Sequence, residues 1–283
     1  MLIGDLSAED LFKKLKGDIS KQGYSEVKFP VAENDLRQAA GLYVDGFLRL
    51  PEAEKDRYST WIFPGSDAEK ARGRCGYNIK SRGKGALDDK YLFHYNDYLR
   101  EFVDGLSKVS REARDFLDAA EPIFQGMKRS ISPVLGAFET EAPGFKGLFL
   151  PDQDHPYFFL RFIAYQGHGA AGHFDKGPLT EAIAESNPGL RIGPAYEGQS
   201  TKDIPLQEVT HTPDTAFLFT GNHISSVLPK HLQDQFPKGW HDVVEKGYEV
   251  RKGITRWSIV GFFDPFGQVY QKGWKERHAL GGK

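Results

Sequence analysis

The chain changes its period near residue 148, and that switch limits the architectures open to it. Before it, apolar residues recur at helical spacing. Between Ser110 and about Phe138, residues Phe116, Leu117, Ala120, Phe124, Met127, Ile131, Val134 and Leu135 form one stripe, as on a long helix with one buried face. Pro122 and Pro133 are expected to kink or divide it. Asn34 to Leu50 repeats the pattern with Leu36, Ala39, Ala40, Tyr43 and Phe47. Ser7 reads as the cap of a helix reaching about Gln22, and Asn96 or Asp97 as the cap of another. Tyr24 to Val31 reads as a strand, and residues 62–89 as a loop or irregular hairpin. From Leu148 on, short apolar runs alternate with turns. A helical first half and a strand-rich second half suit an α+β chain with a mainly β core. The architecture expected is a distorted jelly roll, the double-stranded β-helix, with N-terminal helices and the long helix backing it. One domain is expected over residues 1–283. It would comprise a mainly helical part (1–147), the core (148–263) and a C-terminal tail (264–283).

Composition narrows the partners. A formal net charge of −2 over 283 residues gives no general attraction to nucleic acid or to an anionic membrane. No apolar run is long enough to span a bilayer, and the first residues lack the basic region and apolar core of a signal peptide. The single cysteine, Cys75, excludes an internal disulfide, suits a reducing cytoplasm and is expected to be a small packing residue.

Chemistry concentrates in the strand-rich half. His173 and Asp175 stand at i and i+2, so on a strand both face one side while Phe174 faces the other. Arg256 and Ser258 repeat the spacing, with Trp257 and Ile259 turned away. Two imidazoles and a carboxylate hold non-haem Fe(II) and leave coordination positions open. A guanidinium fork with a hydroxyl beside it suits a carboxylic acid.

The motifs in order resemble the isopenicillin-N-synthase-like branch of the iron(II)/2-oxoglutarate-dependent dioxygenases. Leu160 to Tyr165 is similar to the strand that leads into that family's metal site. His173 to Thr180 resembles its His-X-Asp segment, and Phe217 to Asn222 the strand and turn before its distal histidine. His241 to Val244 resembles the distal histidine segment, and Arg256 to Ile259 the cosubstrate segment. Phe47 to Lys55, and Gly76-Tyr77 through Phe93, are similar to a helix end and hairpin of the family's N-terminal third. The resemblance spans most of residues 25–265. The chain departs from the pattern in carrying Ile163, Ala164 and Gln166 where the family often has Asn, Tyr and Pro. It also has a longer connection, Glu245 to Gly253, before the Arg256 strand.

The resemblance implies a set of roles. His173, Asp175 and His241 would bind Fe(II); of nine histidines, His241 is the last before Arg256, as that fold requires. Arg256, Ser258 and Tyr165 would bind 2-oxoglutarate. With O2, a small-molecule substrate would be hydroxylated or desaturated, with release of succinate and CO2. Arg74, Tyr77 and Lys80, in a basic stretch near the mouth of the family's site, are substrate candidates. Two alternatives stay open: an O2-dependent oxidase of the same fold that uses no 2-oxoglutarate, and a non-catalytic metal- or ligand-binding protein. Past Asp264-Pro265, residues Phe266, Val269, Tyr270 and Trp274 are spaced for a short amphipathic helix that packs on the body or closes the site.

Overall fold

The structure, a computed structural model, describes residues 6–61, 74–80, 89–150, 157–167, 169–244, 246 and 253–265. Local signals set most helix ends. Helix α1 (Ala8–Gln22) starts where the Ser7 hydroxyl accepts the Asp10 amide at 3.2 Å. It stops at Gly23, whose φ of 87° is a left-handed cap. Strand β1 (Ser25–Lys28) is shorter than the run Tyr24 to Val31 that the sequence suggests. Helix α2 (Glu33–Gly41) continues as a π turn (Leu42–Gly46) and a 3-10 turn (Phe47–Arg49), so the expected single helix rewinds while keeping Tyr43 and Phe47 buried. After α3 (Glu52–Asp56) come β2 (Ser59–Trp61), β3 (Arg74–Lys80) and β4 (Lys90–Tyr95). Of the stretch 62–89 expected to be a loop or irregular hairpin, residues 74–80 form the regular strand β3, which pairs antiparallel with β4 just beyond it.

The Asn96 side chain accepts the Leu99 amide at 2.9 Å to open α4 (Asp97–Asp104), and Ser110 caps α5 (Arg111–Glu141). Helix α5 runs 31 residues through both prolines without dividing. A proline removes one amide donor per position. Against that loss stands an apolar face buried from Phe116 to Phe138, packed on α1, α2 and the sheet. Helix α6 (Phe145–Phe149) leads into the strand-rich half.

There the strands are β5 (Tyr157–Tyr165), β6 (Ala170–His173), β7 (Leu179–Glu185), β8 (Leu190–Ala195), β9 (Gln207–Glu208), β10 (Thr215–Thr220), β11 (Lys238–Val243) and β12 (Arg256–Asp264). Short helices α7 (Ile224–Val227) and α8 (Lys230–Gln233) link β10 to β11. An eight-stranded sheet has the order β1-β10-β7-β12-β5-β4-β3-β2, and a four-stranded sheet the order β6-β11-β8-β9. This is the expected jelly-roll core with helices behind it. The larger apolar cluster lies between the eight-stranded sheet and the helices. A smaller one, including Ile163, Ala182, Ile192, Phe217 and Phe219, draws on both sheets and fills the space between them.

Asp264 is the buried last residue of β12; the short helix expected after Asp264-Pro265 lies outside the described residues. Cys75 is fully buried, its sulfur accepts from Asn96 at 3.0 Å, and burial pushes its thiol up to about 12, in keeping with a packing role. Among the described residues no helix is long and apolar enough to cross a membrane.

Candidate metal centre and the cavity behind it

Strands β6 and β11 pair with His173 opposite His241. Cross-strand partners point to the same side, so the two rings meet, with centroids 4.3 Å apart. Each imidazole is oriented by the backbone two residues earlier: Nδ1 of His173 lies 2.8 Å from the Ala171 carbonyl, and Nδ1 of His241 3.1 Å from the Gly239 carbonyl. A carbonyl only accepts, so each Nδ1 donates, and the lone pair of each ring is left on Nε2. Both Nε2 atoms face Asp175: that of His173 is 4.0 Å from Oδ1, and that of His241 3.7 Å from Oδ2. One donor atom from each of the three residues lies within 4.8 Å of the others. Burial, and next the neighbouring His241, lower the His173 pKa to about 4, which keeps a lone pair free for a metal. Two imidazole nitrogens and one carboxylate, preset around a common point, fit a divalent transition metal.

Asp175 stands past the end of β6, and its placement depends on a turn from another strand. The Gly221 amide donates to the Pro178 carbonyl at 2.9 Å and the Asn222 amide to the Asp175 carbonyl at 2.8 Å. A Cβ at Gly221 would lie 2.1 Å from the Gly177 oxygen and 2.7 Å from that of Asp175, so the approach requires glycine. On the opposite face of β11, Asp242 accepts Nε and Nη2 of Arg191 at 2.8 and 2.6 Å, which ties β11 to β8 and directs Asp242 away from the centre.

Behind the three donors a cavity of about 70 Å³ runs between the sheets. Arg256, Ser258 and Tyr165 all line it, as do Lys90, Arg161, Glu185 and His211. Register explains the arrangement. Arg256 pairs with Tyr165, which pairs on its other side with Lys90; Ser258 pairs with Ile163 and, across β7, with Glu185. The Arg256 Cζ stands 5.7 Å from the centre of the Tyr165 ring. At the other end of the same face, Arg161 Nε donates to His94 Nε2 at 2.8 Å.

Glu185 and His211 are the site residues that sequence reasoning missed. The Glu185 carboxylate accepts from Nη2 of Arg256, and both side chains are almost fully buried. Nε and Nη1 of Arg256 and the Ser258 hydroxyl are buried without partners. Simple alternation would put Ala182 and Ala184 on the cavity side and turn Glu185 away. A bulge intervenes: Val260 pairs with Ala182, but Ile259 with Ala184 and Ser258 with Glu185. The extra residue, Ile183, reverses the phase and brings Glu185 to the cavity. The one signal available beforehand was a glutamate closing an otherwise apolar strand end, Ala182-Ile183-Ala184-Glu185.

Among the described residues, neither Tyr77 nor Lys80 lines this cavity. Tyr77 is buried on the helix side of β3, 5.9 Å between ring centres from Phe47, with its hydroxyl donating to Glu52 at 3.2 Å. A residue packed into the helical core is not available to a ligand on the other face, which corrects its assignment as a mouth residue. Lys80 is half-buried at the end of β3 and is not among the cavity's lining residues, and the Arg74 side chain lies outside the described residues. Of the other histidines, His223 caps α7 and His231 lies in α8, and neither belongs to the group of three donors. His155, His168 and His278 lie outside the described residues.

No family model and no curated protein matches the chain. Solved structures do. A full-length Neurospora crassa protein in complex with alpha-KG is 17 % identical, with a TM-score of 0.62 over 93 % of this chain and 82 % of that one. The rice dioxygenase for auxin oxidation is 16 % identical, with a TM-score of 0.62 over 99 % of this chain and 92 % of that one. The Arabidopsis thaliana dioxygenase for auxin oxidation 1, in its 2-oxoglutarate binary complex, is 15 % identical, with a TM-score of 0.54 over 94 % of this chain and 93 % of that one. The chain thus has the fold of the 2-oxoglutarate/Fe(II) oxygenases. At this identity the likeness does not single out the isopenicillin-N-synthase-like branch.

Proposed function

We propose that, on the oxygenase fold just described, the chain is a non-haem Fe(II)/2-oxoglutarate-dependent dioxygenase that hydroxylates or desaturates a small molecule. One observation carries the reading. Two Nε2 lone pairs and a carboxylate converge at one end of a cavity whose other end holds a buried guanidinium and hydroxyl with unmet hydrogen-bonding capacity. Buried donors without partners are costly, and a ligand carboxylate on one edge of the guanidinium, at Nε or at Nη1, with the Ser258 hydroxyl as a further donor, would meet part of that capacity. In this reading His173, Asp175 and His241 hold the metal. Arg256 and Ser258 hold the far carboxylate of 2-oxoglutarate, with Tyr165 beside it. Bound together, metal and cosubstrate supply the oxidising chemistry, consuming O2 and releasing succinate and CO2. The chain's own part is orientation and exclusion of water. Phe219, 4.9 Å between ring centres from His241, and Ile163 wall the space between the two ends. The whole chain acts as one oxygenase domain, and its lone buried thiol suits the cytoplasm.

A second reading has an observation in its favour. Glu185 already accepts from Arg256, as it would in an oxidase whose arginine serves structure and not a cosubstrate. The test is release of labelled succinate from labelled 2-oxoglutarate by the iron-loaded protein. Succinate formation supports the dioxygenase. O2 consumption that is independent of 2-oxoglutarate, with no succinate, selects the oxidase.

A further inference from the structure

Glu185 and His211 hold atoms that one proton would satisfy. His211 Nε2 lies 3.0 Å from the Ala182 carbonyl, which can only accept, so Nε2 carries the hydrogen. In the neutral ring Nδ1 is then an acceptor, and it faces Glu185 Oε1 at 3.5 Å. Both atoms are buried without a hydrogen-bond partner. The other oxygen of Glu185 is on Arg256. A cosubstrate carboxylate arriving on the free edge of Arg256 would place two ionised carboxylates on one buried guanidinium, an arrangement that drives one of them to take up a proton.

We propose that binding of a dicarboxylic cosubstrate to Arg256 is coupled to uptake of one proton by the Glu185–His211 pair. This rests on the dioxygenase reading and adds a control that its metal and cosubstrate residues do not contain. The proton comes from solvent and settles between Glu185 Oε1 and His211 Nδ1, joining two facing acceptors. The guanidinium then answers one charged carboxylate, that of the ligand. Among the described residues, the following charged and titratable groups surround the pair. Arg256 faces it from β12, and Tyr165 from β5 lies against Arg256, with the Lys90 ammonium of β4 5.3 Å from the Tyr165 ring centre. Glu185 and His211 also form part of the wall of a neighbouring cleft of about 230 Å³. On that side stand Asp214 and, from α2, Glu33 and Arg37, which pair with each other at 2.6 Å. The cleft gives solvent protons a route to the pair that avoids the metal centre.

The experiment is calorimetric titration of 2-oxoglutarate into the Mn(II)-loaded protein between pH 6 and 9, each point in two buffers of different ionisation enthalpy. The expected result is a buffer-dependent heat that reports uptake approaching one proton. Affinity should fall about tenfold per pH unit above the pair's own pKa. Glu185→Gln should bind 2-oxoglutarate with no proton uptake and a flat pH profile, while its Mn(II) affinity stays that of the parent. Wild-type binding with buffer-independent heat at every pH overturns the coupling and leaves the dioxygenase reading standing. Absence of 2-oxoglutarate binding by both proteins, with Mn(II) bound, overturns that reading and the coupling together.

Discussion

Glu181→Gln should make the protein more stable at neutral pH and leave it unchanged in acid. Glu181 projects from β7 toward α5 and is fully buried. Its Oε1 lies 2.5 Å from the Ser130 hydroxyl, which is also 2.9 Å from the Lys28 carbonyl. Ser130 has one proton, and the carbonyl can only accept it. The carboxyl must therefore be protonated and donate to Ser130. Burial agrees, raising the Glu181 pKa from 4.5 to about 8, against the smaller opposing effect of the Ser130 contact. Between those two values the folded state holds a proton that the unfolded state has released. Stability from this group is thus complete below pH 4.5 and is lost as pH rises toward 8. At about 1.4 kcal/mol per pH unit, the loss reaches roughly 3 kcal/mol by pH 7. Glutamine keeps the shape, can donate an amide hydrogen to Ser130 and does not titrate. Urea unfolding of both proteins at pH 4.5, 6, 7 and 8 should give curves that coincide in acid and separate progressively above it, with the variant more stable. A difference that stays constant with pH, or a variant that is the less stable at pH 8, would refute a protonated Glu181.

The remaining expectations concern the site. His173→Ala should lose tight Fe(II) binding and turnover while the far-ultraviolet circular dichroism stays native, and full iron occupancy by metal analysis would sink the assignment. Arg256→Lys keeps a positive charge beside Glu185 but lacks the fork, and should raise the 2-oxoglutarate requirement on the order of ten- to a hundredfold with iron binding spared. An unchanged requirement in turnover assays would favour the oxidase. Gly221→Ala should shift the segment behind Asp175 and weaken metal binding at least about tenfold, as read by competition with a chelator. Unaltered metal affinity would mean that the turn does not position the carboxylate.

Helix ends were legible in the sequence because capping is local. Ser7, Asn96 and Ser110 each accept an amide three residues on, so a short window contains the whole interaction. The apolar stripe of α5 was equally legible, although the prolines suggested a break; whether a lost amide bond interrupts a helix depends on what the other face buries. His173 and Asp175 could be named from spacing, since they share a short segment, and His241 from the resemblance, as the last histidine before the Arg256 strand. Their convergence could not. It requires β6 to pair with β11 in a register that sets His173 opposite His241, and a turn after β10 to hold the chain next to Asp175. Tyr77 was misread because a strand has two faces and its sequence does not say which one meets the helices. Glu185 stayed hidden for a sharper version of the same reason. A bulge against β12 adds one residue to the count, and with a period of two, one residue exchanges inside for outside. Sequence alone determined the elements and the chemical types available to the site. Strand register, set by contacts between distant segments, decided which of those groups face one another.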